Sequence, residues 1–425
     1  MKVFFLIFIF VVQLIAQRDF KPDPELIQSG KFYNSELHFF PDNETNLVYY
    51  SFKISYSQLF FQKKDDSFLA GIKVNIEVRD SSGSIVNRAS KDNSVTVNDF
   101  ELTNSKNHFL QGLLDFKLPA GKYKISTSIS DETSKRERRI APIDLLILEK
   151  ESILNPIVAE SEKVNCDNSD FFVLSNNSSS IPFNKPSDKL FIPVTDTTIK
   201  YLSINIKRGD TVLVNNQKIE KYFIASSELK NCNDKIIIQS QLNNRGIKYF
   251  SLDSVSAKLT EGPVSVEVVP ENDLNKKVVF NLNVIWIGKP FSLLDSESAI
   301  KFLETIEPKN VISGMLNSSD KYTENLYNYW KKQDPTPLTN YNELMNEFYT
   351  RVDYCEMNFK NLAGNGGAKS DRGKIYIKYG PPDSINRDTN NQDKVAENWM
   401  YNKLQKKFVF VDVDGTGNFT LANSQ

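Results

Sequence analysis

At 425 residues the chain is too long for one core, and 40% apolar residues, with 29 Phe and 17 Tyr, supply enough surface to build several. Its 52 basic and 53 acidic side chains leave a formal charge of -1, which excludes a global field drawing it to nucleic acid or anionic lipid. His38 and His108 are the only 2 histidines, so a Ser-His-Asp or Cys-His arrangement, or a His-based metal site, is excluded from the C-terminal part.

At the N-terminus, Lys2 precedes the apolar run "VFFLIFIFVV" and then "QLIAQ", with Ala16 placed for cleavage before Gln17. A short basic start, an apolar run of this length and a small residue at the cut read as a secretory signal over 1–16. The run falls short of the ~20 apolar residues of a membrane span. No cysteine follows it to take a lipid, and no later stretch is apolar enough to cross a bilayer. The mature protein is therefore expected in the periplasm or on the outer surface, with no transmembrane segment. Export permits a disulfide. Cys166 and Cys232 are the natural pair, because both fall in one candidate domain, whereas Cys355 sits in a helical pattern and reads as a small buried apolar residue. Three scattered cysteines give no zinc spacing.

From Asn46 the text alternates. Val48, Tyr50, Phe52, Ile54 and Tyr56 share one face of "NLVYYSFKISYS", the pattern of a half-buried strand. "GIKVNIEVRD", the turn "SSGS" and "IVNRAS" read as a hairpin, and "LDFKLPAGKYKISTSISD" as a strand pair broken at Pro119. Lys135, Arg136, Arg138 and Arg139 in "TSKRERRI" read as a solvated strand edge, where charge deters edge-to-edge pairing. Strands about every ten residues with turn signals predict an antiparallel, Ig-like β-sandwich over 34–148. A similar stretch, with "KLFIPVTD", "KIIIQS" and "KKVVFNLNVIWIG", predicts a second β-sandwich over 151–289.

The pattern changes after Pro290. "DSESAIKFLETIEP" places Ala299, Ile300, Leu303 and Ile306 at helical spacing, with Asp295 or Ser296 as cap and Pro308 as stop. "SDKYTENLYNYWKKQ" carries Tyr322, Leu326, Tyr329 and Trp330 on one helical face, and "DPTP" at Asp334–Pro337 must turn. Asn340 and Glu343 have capping-box spacing, and the next helix is expected to bury Leu344, Phe348, Val352, Cys355 and Phe359. It ends at Gly364, Gly366 and Gly367. "KIYIKYG", "ENWMYN" and "KKFVFVDV" then read as strands, making residues 290–425 an α+β domain.

"DVDGTGN" imitates a calcium loop, but position twelve is Asn423 and the flanks read as strands, so a hairpin turn explains it. Gly366, Gly367 and Gly373 with nearby basic residues imitate a phosphate loop, yet the order expected, helix then glycines then strand, is the reverse of one. Glu343, Glu347 and Arg351 share a helix face, with Asp334 just before that helix and Asp371 and Arg372 just after it. This polar cluster reads first as an ion-pair network and second as a binding site of Asp334, Arg351, Asp371 and Arg372. No metal site and no cofactor is expected.

"YWKKQDPTPLTNYNELMNEFYTRVDYCEMNF", "GGAKSDRGKIYIKYGPPDSI" and "ENWMYNKLQKKFVFVDVDGTGNFTL" together resemble the GWxTD domain of exported Bacteroidota-type proteins, over about residues 295–425. The family signature falls on Gly367, Ala368, Lys369, Ser370 and Asp371. Gly367 and Asp371 match, Ser370 is a mild change, and Ala368 replaces the tryptophan. The resemblance implies a domain type and an exported location, and no activity. The function expected is a structural or partner-binding protein of the cell envelope, with an envelope protein or a glycan as partner. The alternative is a carboxylate-based hydrolase of envelope polymers, using Asp371 with Asp334 or Glu347 at about 5–9 Å.

Overall fold

The computed structural model describes residues 33–424 except 43, 106, 107, 150, 162–170, 176–179, 233, 234, 241–245 and 390–393. The leader and Cys166 lie outside the described residues. The architecture is mostly antiparallel β-sheet, with helices gathered near the C-terminus. No helix among the described residues is long and apolar enough to cross a membrane.

The first strands are β1 (Asn34–Asp42), β2 (Thr45–Ser55), β3 (Gln62–Lys64), β4 (Ser67–Asp80), β5 (Ile85–Val97), β6 (Phe109–Leu118), β7 (Gly121–Asp131) and β8 (Glu137–Ile147), with a helical turn α1 (Phe100–Thr103) after β5. They form one sheet in the order β1-β2-β6 and another in the order β3-β4-β7-β8, with β5 also paired to β4. The hairpin expected at "SSGS" is β4–β5: Asp80 accepts from the Ser82 and Ser84 N–H groups, and Gly83 takes φ +84°. The strand pair expected around Pro119 is instead a crossover. There β6 pairs with β2 and β7 with β4, so the two residues after Leu118 carry the chain from one sheet to the other. The Tyr123 hydroxyl donates to the Pro119 carbonyl and staples that corner.

β2 differs from its expected half-burial. Val48, Tyr50, Phe52 and Ile54 are buried, but so are Tyr49 and Ser51 on the opposite face. The reason is a further layer. The next strands cover that face, and Lys53 reaches across to donate to the Leu174 carbonyl.

Those strands are β9 (Ile157–Ser161), β10 (Phe171–Leu174), β11 (Ser180–Pro182), β12 (Lys189–Val194), β13 (Leu202–Arg208), β14 (Thr211–Ile219), β15 (Tyr222–Cys232), β16 (Lys235–Ser240), β17 (Ile247–Leu252), β18 (Gly262–Pro270) and β19 (Val278–Ile285). Six close into a barrel in the order β10-β16-β15-β17-β12-β9, and the others form the sheet β11-β19-β18-β13-β14. β12 serves two cores. Phe191 joins the core shared with β1–β8, while Leu190, Ile192 and Val194 join the core shared with the C-terminal helices. This two-sided burial is why β12 reads as a continuous apolar run. Cys232 is disulfide-bonded, and Cys355 is free and buried.

After Pro290 come α2 (Ser296–Phe302), α3 (Lys309–Met315), α4 (Tyr322–Lys331), α5 (Glu343–Asn358) and α6 (Asp371–Tyr379). They are followed by β20 (Ser384–Thr389), β21 (Val395–Tyr401), β22 (Lys406–Asp412) and β23 (Phe419–Ser424), paired in chain order. Asp295 caps α2 by accepting from the Ser298 N–H, as its position predicts. Pro308 precedes α3, a helix the apolar spacing did not reveal, and Ile306 is exposed. α5 is capped by Asn342 rather than Asn340, whose amide instead donates to the Leu259 carbonyl. It buries Phe348, Val352 and Cys355, but Leu344 in its first turn faces solvent.

"KIYIKYG" is the main correction. It is helix α6, not a strand. Ile375 and Ile377 mimic strand alternation, but the boundaries are those of a helix. Ser370 caps its start, Asp371 occupies the first turn, and Gly380 at φ +82° ends it.

Candidate functional site

The signature positions form a loop that builds the N-terminus of α6. Gly366 and Gly367 take φ of +103° and +57°, turning the chain back after α5, and the Gly367 N–H donates to the Phe359 carbonyl. A short 3-10 turn over Gly367–Lys369 follows. The Ala368 N–H donates to Glu356 Oε1 of α5 at 2.8 Å. Ser370 Oγ donates to the Gly367 carbonyl at 2.7 Å and accepts from the Gly373 N–H at 3.0 Å. Gly373 must lack a side chain, because a Cβ there would lie 2.2 Å from the Gly367 oxygen and 2.7 Å from that of Ala368. Ala368, in the position of the family tryptophan, is wholly buried, so that position belongs to the core and not to a stacking surface.

Asp371 accepts from the Leu421 N–H at 3.0 Å, and Lys374 Nζ lies 3.6 Å from its other oxygen. The first bond satisfies an outward N–H of β23, which lies at the edge of its sheet, and the carboxylate also suits the positive end of α6. Arg372, the next residue, turns inward. It is buried, with its guanidinium 4.0 Å from the Phe419 ring and 5.0 Å from the Phe359 ring. Nη1 lies 3.3 Å from Glu397 Oε2, and Nη2 donates to the Gly417 carbonyl at 3.4 Å. Glu397 is buried too, and also accepts from Trp399 Nε1 at 3.1 Å and Arg387 Nε at 2.8 Å. Burial lowers the Arg372 pKa while Glu397 opposes that shift, and the guanidinium stays charged. This is a fixed, dehydrated ion pair rather than a surface one.

The other expected site residues lie apart from this loop's start. Arg351 donates from Nε to Glu347 at 2.7 Å and from Nη1 to the Ile377 carbonyl at 2.9 Å, so it caps the far end of α6. A Cβ on Gly380 would crowd that guanidinium at 3.1 Å. Asp334 accepts from the Thr336 N–H at 2.8 Å and shapes only its own turn. Asp371, Arg372 and Arg351 thus all hold α6, at its two ends, while Asp334 does not join them. Glu343 accepts from Thr336 Oγ1.

Sequence reasoning named Ser370 and Gly373 without their roles at the start of α6, and missed Glu356 and Glu397. The signal for Ser370 was present, since a serine followed by an acidic residue marks a helix start, but the need for glycine at 373 comes only from the turn packed against it. Glu356 and Glu397 carry no such signal, since their partners are remote in the chain.

The loop does precede a helix, as in a phosphate site. Its cap is filled by Ser370, however, and Asp371 places negative charge where an anion would sit. In "DVDGTGN", Asp414 Oδ1 accepts from the Thr416 N–H and hydroxyl, and Asp412 Oδ2 from the Gly417 N–H. These are the bonds of a hairpin turn between β22 and β23. Among the described residues no group of three His, Cys, Asp or Glu side chains is arranged to hold a metal. Burial pushes the Cys355 thiol up, away from nucleophilic ionisation.

Residues 290–423 match the family model of the GWxTD domain, which accounts for the C-terminal part of the chain. Among solved structures, a glycosyl hydrolase family 2 member from Bacteroides cellulosilyticus DSM 14838 is similar over 61% of this chain and 30% of that one. Identity is 12% and the TM-score 0.17, too low to carry an argument about fold or activity. No curated protein matches the chain.

Proposed function

We propose that this chain is an exported cell-envelope protein that acts by binding and spacing rather than by catalysis. In this reading the two-sheet unit expected over 34–148 and the barrel-and-sheet unit over 151–289, which takes the place of the second Ig-like sandwich, present the GWxTD-like α+β unit, 290–425, to a partner at the envelope. The observation that carries it is the use made of the signature loop: Ser370, Asp371 and Arg372 all hold helix α6 in place through intramolecular bonds. The hydrolase alternative draws no such support, because Asp371, Asp334 and Glu347 each serve a different local contact. Export is supported by the apolar leader and by the disulfide at Cys232, a bond that persists in oxidising compartments.

Fractionation of host cells carrying an epitope-tagged chain tests this directly. The tag is expected in the envelope or periplasm, with one crosslinked partner recurring across replicates. A cytosolic location, or turnover of an envelope polymer abolished by Asp371→Asn, overturns the proposal.

A further inference from the structure

We infer that the cleft where the three parts of the chain meet is a saccharide-binding site. The cleft has a volume of about 360 Å³, within the roughly 300–1,000 Å³ of ordinary ligand pockets. Asn104, just after α1, lines one side, and the segment around Lys289 lines another. The third side is a stripe on α5, where Asn346, Thr350 and Tyr354 stand four residues apart and share a face.

The chemistry of this lining selects a neutral, hydroxyl-rich ligand. The charged groups there are already engaged. Lys289 Nζ is 2.9 Å from Glu261, Glu347 is held by Arg351 at 2.7 Å, and Asp353 accepts from the Phe291 and Ser292 N–H groups. An ionic ligand would have to break one of these pairs. Asn104, Asn346 and Thr350, by contrast, have no side-chain hydrogen-bond partner among the described residues. Each presents both a donor and an acceptor, the combination that adjacent sugar hydroxyls require.

Tyr354 supplies the apolar surface. Its ring lies parallel to that of Tyr376 at 4.4 Å, which fixes its plane, and the residue is still 41% exposed. A flat aromatic ring beside uncommitted amides fits a pyranose, which carries C–H groups on its faces and hydroxyls around its edge. Because three parts of the chain contribute, a bound sugar would also tie them together. The inference rests on the envelope reading for the source of the ligand, and on the cleft alone for its chemical class.

The test is calorimetric titration of the full chain with three neutral disaccharides: N,N'-diacetylchitobiose, cellobiose and maltose. At least one is expected to bind, and Asn346→Ala and Thr350→Val are each expected to weaken it roughly fivefold without changing Tm. If Asn346→Ala lowers Tm, Asn104→Ala, on a separate segment, gives the same reading. Absence of binding by all three at about 10 mM overturns the inference, as does binding that these variants leave unchanged. A chain that crosslinks to an envelope protein yet binds none of the sugars would sink this inference and leave the envelope reading standing.

Discussion

Gly373 shows how closely single residues are held at the start of α6. An alanine there would place its Cβ against two carbonyl oxygens of the preceding turn, and backbone cannot step aside as a flexible side chain can. Gly373→Ala is therefore expected to destabilise the protein by about 1–3 kcal/mol, read as a lower denaturant midpoint. An unchanged midpoint would show that the loop yields without cost. Asp371 sorts differently. Asparagine keeps an oxygen that can accept from the Leu421 N–H and loses only the charge at the helix start, worth about 0.3–1 kcal/mol. Alanine loses the hydrogen bond as well, about 1 kcal/mol more. The expected order of midpoints is native, then Asp371→Asn, then Asp371→Ala. An Asn variant as unstable as the Ala variant would mean that the charge, not the hydrogen bond, carries the contribution.

Elements meet through buried ionisable groups where the β1–β2 sheet is covered by the barrel. Asp188 is fully buried, and burial pushes its carboxyl up to about 6; Lys185, Glu160, Ser175 and Lys53 face it. His38 of β1, buried 3.8 Å from Glu36, is pushed down to about 4. Lys53 of β2 is pushed down to about 8, chiefly by burial and next by Lys185. The signs oppose one another. Asp188 titrates higher folded than unfolded, so the cost of burying its charge is present at neutral pH and fades as pH falls through 6. His38 titrates lower folded than unfolded, so stability is lost as pH falls from about 6.5 towards 4. The two slopes offset each other in mild acid. Asp188→Asn removes one of them. It is expected to stabilise the protein at pH 7 to 8 by up to about 3 kcal/mol, with the advantage gone near pH 4. Thermal melts of both proteins across this range check it, and an advantage independent of pH would mean the carboxylate is not the cause. Nothing in the text around Asp188 distinguished it from any surface aspartate, because its burial involves strands remote in the chain, among them β2 and β9.

At the scale of the whole molecule, the cores run across the expected boundaries at 148/151 and 289/290. Strands β12 and β17 give alternate side chains to the two large cores, and one of these extends from β13 and β18 through α5 to Trp399 and Phe410. Tyr341 is a bridge within it, with ring centroids 5.9 Å from Phe183 and 5.3 Å from Trp286. All 3 tryptophans, Trp286, Trp330 and Trp399, lie in this core, so denaturation followed by tryptophan fluorescence is expected to give one transition. Tyr341→Ala should split it into two, with Trp286 separating from the others; a single sharp transition in the variant would show coupling carried elsewhere. The sequence by itself determined the β-rich character, the change to helices after Pro290, the hairpin at Gly83 and the turn at Asp414. In each case local backbone preferences and the apolar period agree. Only the tertiary structure decided that "KIYIKYG" is a helix, that β2 is buried on both faces, that Arg372 belongs to Glu397 and Arg351 to the end of α6, and that a cleft opens beside Tyr354. Those outcomes depend on which surfaces other segments cover, and an isolated stretch of residues carries no record of its remote neighbours.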